Sequence, residues 1–194
     1  CWHLISLMDY HPFLFITGSS ENERRRVSRF VHRTINGEDM FFFVEALRNL
    51  YLHHGGLEEV FSRPWAQNGS IHSALIHFHR LFFSVPYPER SRRHIADVER
   101  NSAAKRLNLF LRWMVRIDNN AVDLGLWKKI PPSALMLPLD VHTGRVARKL
   151  GLLNRNQNDW KAVEEVTAAL RELDPLDPVK YDFALFGLGI FEGF

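Results

Sequence analysis

Basic side chains follow Asp140 at a spacing that gathers charge on one surface. Arg145, Arg148 and Lys149 stand at i, i+3 and i+4, so on a helix opening after Asp140 they project from one side. Val146, Leu150 and Leu153 are then expected to point inward. The start of such a helix offers unpaired backbone N–H groups and the positive end of its dipole, which suit an anion such as a DNA phosphate. Asp140 is also a natural helix cap, a role worth about 1 kcal/mol and compatible with a carboxylate that does chemistry.

Charge is segregated along the chain. From Glu89 to Arg116 eight basic residues, Arg90, Arg92, Arg93, Arg100, Lys105, Arg106, Arg112 and Arg116, stand against Glu89, Asp97 and Glu99. From His142 to Lys161 five more face only Asp159, whereas residues 162–194 hold seven acids against Arg171 and Lys180. Positive charge concentrated this way suits phosphate binding, since neutralised phosphates release condensed counterions. A solvated helix face produces the same pattern, so charge alone leaves both readings open.

The elements that must position these residues are helices. The spacing of Phe42, Phe43, Ala46, Leu47, Leu50 and Tyr51 predicts an amphipathic helix capped by Asp39 and stopped at Gly55-Gly56. Ser70 opens a second, with Ala74, Leu75, Phe78, Leu81 and Phe82 on one stripe before Pro86 and Pro88. Ser102 opens a third, whose inner face is Ala103, Leu107, Phe110, Leu111, Met114 and Val115. Between Ile117 and Pro138 the glycine, asparagine and proline content predicts turns with one short helix. Asp140 caps a helix to Leu150 ended by Gly151, Asn158 or Asp159 caps one to about Leu173, and Asp177-Pro178 starts the last. No segment alternates at period two, and no linker or repeat divides the chain. The expectation is one all-α domain, a helical bundle over residues 1–194.

Composition bounds the function classes. With 194 residues, 46% hydrophobic, 24% charged, 15 Phe and 5 Trp, the chain has the make-up of a folded protein, not a disordered one. The net charge of +3 permits a polyanionic partner without requiring one. A single cysteine, Cys1, excludes an internal disulfide and every multi-cysteine metal cluster, which points to the reducing cytoplasm. His72, His77 and His79 are close in sequence, but spacings of five and two share no helical face, so no metal site is expected. No apolar run reaches the roughly 20 residues that span a bilayer, so no membrane partner is expected. The start on Cys1 instead of Met suggests a missing N-terminal segment.

The stretch Leu139-Asp140-Val141-His142-Thr143-Gly144-Arg145-Val146-Ala147-Arg148-Lys149-Leu150-Gly151-Leu152 resembles the Asp-Thr-His-x-x-Arg-Val-x-x-Arg-Leu-Gly-Leu motif of the helix-hairpin-helix DNA glycosylases, such as endonuclease III and the adenine glycosylases. Val163-Glu164-Glu165 and Ala184-Leu185-Phe186-Gly187-Leu188-Gly189 are similar to the closing helices of that superfamily, so the likeness covers the last third of the chain. The whole chain, including Ser102 to Asn108 and Asp177 to Asp182, looks most like a bacterial family of uncharacterised proteins.

The glycosylase resemblance implies a bundle of that type acting on double-stranded DNA with a damaged base such as an oxidised purine. It implies that Asp140 stabilises the positive charge growing on the deoxyribose and assists departure of the base. It implies phosphate contacts from His142, Arg145, Arg148, Lys149 and Arg106. Bifunctional members add a lysine nucleophile. The usual Leu-Pro-Gly-Val-Gly hairpin that precedes it is absent here, and residues 122–132 keep only Gly125, with Lys128 and Lys129 beyond. Lys105 is the preferred nucleophile, 35 residues before Asp140 and crowded by Arg106, Arg112 and Arg116, a setting similar to that of the archaeal 8-oxoguanine glycosylases. Base extrusion also needs a stacking partner, for which Phe183 and Phe186, or Trp113 and Trp127, are available. No cofactor is implied. Two alternatives stand beside the enzyme: a DNA-binding module that kept the fold without the chemistry, and a helical protein-interaction domain.

Overall fold

The computed structural model describes residues 2–118 and 122–191, which are helical with irregular connections and hold no β-strand, only three isolated bridges. Ten α-helices follow in order: α1 (Trp2–Leu7), α2 (Pro12–Gly18), α3 (Glu21–Arg24), α4 (Gly37–His53), α5 (Leu57–Asn68), α6 (Ile71–Phe82), α7 (Lys105–Val115), α8 (Val141–Lys149), α9 (Trp160–Leu173) and α10 (Asp182–Phe191). Among the described residues, no helix is long and apolar enough to cross a membrane. The chain forms two compact units, one of residues up to Arg63 with His77–Ile95, the other of Pro64–Ile76 with everything from Ala96 onward. Each unit is built from two separated stretches, and this explains why no linker marks them in the sequence.

The first unit has α4 at its centre. Met8, Phe15, Ile16, Val27, Phe30, Met40 and Val44 form its buried cluster. The cap of α4 is Asn36, not Asp39: Asn36 Oδ1 accepts the Asp39 amide at 3.0 Å while the Asp39 carboxylate accepts the Asn36 amide at 2.9 Å, a reciprocal capping box. Asp39 is fully buried and also accepts a hydrogen bond from Ser91 Oγ at 2.7 Å, so it ties the helix start to the later stretch of the unit. At the other end Gly55 and Gly56 take φ of 80° and 86°, which a side chain would resist, and the Gly56 amide bonds back to Leu50 O.

In the second unit α8 packs on α10, where a Cβ at Gly189 would stand 3.2 Å from both His142 Cβ and Val146 Cγ2. Glycine there permits the close approach. Val163, Val166 and Leu170 of α9 are buried, and α9 also holds the extended segment that leads into α8. Thr167 Oγ1 accepts the Leu137 amide at 3.1 Å, and the Arg171 guanidinium donates to the carbonyls of Ser133 and Leu135. Val146 and Leu153 are buried as expected, but Leu150, the C-cap of the helix, is exposed.

Two helix starts differ from the pattern reading. The third long helix opens at Lys105, not Ser102: Ser102 pairs with Asp159 in an isolated bridge, and Ala104 takes a left-handed φ of 47° before the helix begins. Asp177 caps nothing, since its carboxylate is held by the Arg116 guanidinium at 2.8 Å and Pro178 opens a 3-10 turn that precedes α10. A partly buried ion pair has displaced the local cap.

Asp159, by contrast, caps α9 through the Ala162 amide at 3.1 Å. Its pKa is lowered to about 2, chiefly by hydrogen bonds from Arg155, against the opposing effect of burial, with further help from Ala162 and Asn101. A carboxylate whose pKa is lower in the folded than in the unfolded state adds stability above its unfolded value of about 4 and loses it as pH falls through the folded value. Asp159→Asn should therefore flatten the fall in stability between pH 4 and pH 2. Urea titrations across that window would show it, and parallel curves for the two proteins would contradict the assignment.

Candidate functional site

The N-terminal end of α7 and the N-cap of α8 meet at one pair of side chains. Lys105 Nζ donates to Asp140 Oδ2 at 2.7 Å. The pair is asymmetric in solvent: the lysine side chain is 43% exposed and the carboxylate 14%. The two oxygens of Asp140 divide their work. Oδ1 accepts the Thr143 amide at 2.9 Å and the Thr143 hydroxyl at 3.0 Å, which caps α8, and this leaves Oδ2 for the amine. Burial acts to raise the Asp140 pKa, but the hydrogen bonds from Lys105 and Thr143 outweigh it and hold the carboxyl below its usual range.

This pair opens into a cavity of about 210 Å³. One wall is a stripe of α7, Lys105, Leu109, Arg112 and Trp113, at i, i+4, i+7 and i+8. Asp182, Phe183 and Phe186 of α10 form the opposing wall, and Val122 and Pro138 close the sides. The lining is aromatic and aliphatic apart from four charged groups, a composition typical of small-molecule pockets. Three of the four aromatic residues expected from sequence, Trp113, Phe183 and Phe186, line it. Trp127 does not: it is buried and packs edge-on to Phe110.

Behind the wall lies a charge network that sequence reading did not find. Arg112 is fully buried; its Nε and Nη2 donate to Asp123 Oδ2 at 3.2 and 3.1 Å, its Nη1 donates to Asp182 Oδ2 at 2.5 Å, and its guanidinium lies 4.0 Å from the centre of the Phe183 ring. Arg116 joins Asp123 to Asp177. Arg112 and Arg116 are thus neutralised by carboxylates and do not crowd Lys105 with net positive charge as expected from their positions in sequence. Asp182 is pushed above the usual carboxylate range by burial and by the charge of Asp140, against the opposing pull of Arg112. Its only trace in the sequence is that it stands four residues before Phe186 on a helix.

The other expected site residues separate into two groups. Arg106 and Lys149 are exposed, and His142 is exposed, its ring centre 6.1 Å from that of Phe186 in an edge-to-face arrangement. Arg145 and Arg148 spend donors inside the protein: Arg145 Nη2 donates to Gly189 O at 2.7 Å, and Arg148 donates to Arg155 O and to Asn158 Oδ1. Lys128 donates to Gly125 O, and neither it nor Lys129 lines the cavity. The Ile117 to Pro138 segment is irregular, with a bridge between Ile117 and Leu124 and a 3-10 turn at Pro132–Ala134; residues 119–121 of it lie outside the described residues. No group of three or more His, Cys, Asp or Glu able to hold a metal occurs among the described residues.

Asn158 has a positioning role that its place beside the α9 cap hides. Its Nδ2 donates to Asp140 O at 3.0 Å while its Oδ1 accepts from Arg148. A Cβ at Gly144 would stand 2.7 Å from Asn158 Oδ1 and 3.0 Å from Arg148 Nη1. Gly144→Ala should therefore displace the Asn158 amide and leave the Asp140 carbonyl with only the backbone amide of residue 144, with a loss of about 1–2 kcal/mol in thermal or urea unfolding. A gain in stability, the ordinary result of Gly→Ala in a helix, would show that Asn158 does not matter there.

Among known proteins, neither a curated protein nor a solved structure matches this chain. A family model described as "Protein of unknown function (DUF2400)" matches residues 1–191, nearly the whole length, and the chain belongs to that family.

Proposed function

We propose that the protein is a DNA repair glycosylase that removes a damaged base, with an oxidised purine as the favoured substrate class, and that Lys105 gives it lyase activity. The observation that supports this most strongly is the 2.7 Å contact between Lys105 Nζ and Asp140 Oδ2 at the edge of an aromatic cavity. The two residues stand 35 apart in the chain; the glycosylase resemblance points to Asp140, and Lys105 is the preferred lysine on its basic surroundings in sequence and its likeness to the archaeal 8-oxoguanine glycosylases.

The chemistry follows from the groups present. An extruded base stacks between Trp113, Phe183 and Phe186, with Asp182 as a buried acceptor for one of its N–H groups. The exposed Lys105 amine gives one proton to solvent, and its Nζ forms a bond to sugar C1′ as the C1′–N bond to the base breaks and the electron pair leaves on the base. Asp140, ionised throughout this step, stabilises the positive charge that develops on the sugar and then relays a proton from the new ammonium Nζ to the departed base. The aminal nitrogen then expels the ring oxygen, which takes a proton from solvent, and an iminium is left.

The test uses labelled duplexes bearing oxidised, alkylated or deaminated bases, incubated with the full chain with and without borohydride. Base release from an oxidised-purine duplex together with a reduced protein–DNA adduct is the expected result. Salt-dependent duplex binding without release from any lesion would replace the enzyme with a binding module on the same fold. Absent or salt-insensitive DNA binding would favour a protein-interaction domain.

A further inference from the structure

The first unit owes all its positive side-chain charge, histidines aside, to arginine: residues up to 63 and 77–95 hold eleven Arg and no Lys, whereas all six lysines lie in the second unit. A face kept merely soluble is served equally well by lysine, but a planar guanidinium fork matches a phosphate and holds it through paired hydrogen bonds. Most of these arginines have a carboxylate partner. Arg24 pairs with Glu45, Arg25 with Glu21, Arg26 with Asp9, Arg63 with Glu59 and Arg92 with Glu89. Arg29, Arg33 and Arg93 are exposed, and none has an ion-pair partner among the described residues.

Two segments bring part of this unpaired charge together. Residues 32–35 form a tight turn closed by His32 N to Ile35 O and Ile35 N to His32 O, both 3.0 Å, with Arg33 at its tip in a left-handed φ of 53°. The carbonyl of the next residue, Thr34, accepts from Arg93 Nη2 at 3.1 Å and from Arg90 Nη2 at 3.3 Å. Two guanidinium groups therefore converge on one neutral oxygen while Arg33 projects from the same turn. Arg90 has the buried Asp39 at 3.4 Å; Arg93 has no carboxylate. Like charges held this close repel unless an anion lies among them.

We propose that Arg33, Arg90 and Arg93, gathered at the Thr34 turn, form a phosphate-binding face that grips the nucleic-acid backbone without regard to sequence or damage. It lies in the first unit, shares no residue with the Lys105–Asp140 cavity, and its ligand is the phosphodiester group itself. Arg29, at the end of the 3-10 helix Arg25–Arg29, extends the charge toward a neighbouring phosphate.

The test is fluorescence anisotropy with an undamaged duplex, the full chain and a range of salt concentrations. The double variant Arg33→Gln, Arg93→Gln should weaken binding roughly 5- to 30-fold at about 0.1 M salt and lower the log–log salt slope by about 1 to 2, the value for one or two lost phosphate contacts. Arg25→Gln, which removes an exposed charge already paired with Glu21, is the control and should change affinity less than about twofold. Matching circular dichroism melts show that the variants fold. An unchanged slope in the double variant, or an equal loss in the Arg25 control, overturns the proposal. So does a wild-type protein that binds polyglutamate as tightly as DNA with the same dependence on Arg33 and Arg93, since the partner would then be an acidic protein. The duplex carries no lesion, so failure of the glycosylase reading leaves this result intact, and base excision measured separately distinguishes the two.

Discussion

Lys105→Gln is expected to abolish the borohydride-trapped adduct while lowering affinity for undamaged duplex less than about tenfold, because one charge among many leaves the phosphate contacts largely in place. Among the described residues that line the cavity, Lys105 is the one lysine, and Lys128 and Lys129 are not among them. Asp140→Asn should lower base release by about 10²–10³-fold. It should cost about 1 kcal/mol or less of stability, since the amide oxygen still accepts from the Thr143 amide and the Lys105 side chain, half exposed, can turn to water. The two variants are read together by gel-shift, adduct and release assays. Adduct lost only on changing Lys128 or Lys129 would move the nucleophile into the irregular segment. Release without any adduct would make water the nucleophile and leave Asp140 as the sole catalytic group. Normal release by a folded Asp140→Asn protein would end the catalytic reading of that residue.

Arg112→Met should be the most destabilising single change in the second unit, by about 3–5 kcal/mol. It keeps the volume but leaves Asp123, fully buried, and Asp182, largely buried, without their shared cation. Asp123 keeps the Arg116 guanidinium on Oδ2, but its Oδ1 is already buried without a hydrogen-bond partner. The pH dependence gives a second signature. Asp182 has a folded pKa above its unfolded value, so its ionisation opposes folding, and this penalty sets in as pH rises from about 4 through the folded pKa. Without Arg112, which pulls that pKa down, the penalty should grow and part of the lost stability should return as pH is lowered from 7 toward 5. The triple variant Arg112→Met, Asp123→Asn, Asp182→Asn should recover stability at pH 7. Urea unfolding of the three proteins at both pH values decides it; a loss under 1 kcal/mol for the single variant would mean that water reaches the network.

Both predictions turn on contacts that no local pattern reveals. Lys105 meets Asp140 across 35 residues and Arg112 meets Asp182 across 70. From sequence Arg112 and Arg116 read as part of a basic surface; in the fold they are the cations of a buried network, and the charge available to a phosphate in that stretch of the second unit is correspondingly smaller. Arg145 and Arg148 follow the same course, since their helical spacing was legible but the carbonyls of Gly189 and Arg155 that accept their hydrogen bonds were not.

The all-α class was legible in the amino-acid sequence, as were the bodies of α4, α6, α7, α8 and α9 and the cap Asp140, while the α9 cap stayed open between Asn158 and Asp159. These features are set by interactions within one or two turns: an apolar stripe at three and four residues, a side-chain oxygen on a first-turn amide, a glycine where φ must be positive. Pattern alone missed α1, α2 and α3, which are seven residues or fewer, and α5, where Pro64 stands inside the helix and breaks the expected pattern, and it set the α4 cap three residues late because Asn36 and Asp39 are both competent capping residues. Only the tertiary structure decided which ionised groups are buried, that Asp182 and Phe186 share a cavity with Lys105 and Asp140, and that Arg90 and Arg93 converge on the Thr34 turn. The reason is physical. A helix is specified by neighbours in the chain, but the protonation, solvation and partners of a charged side chain depend on whatever the fold places within a few ångströms of it, at any separation in sequence.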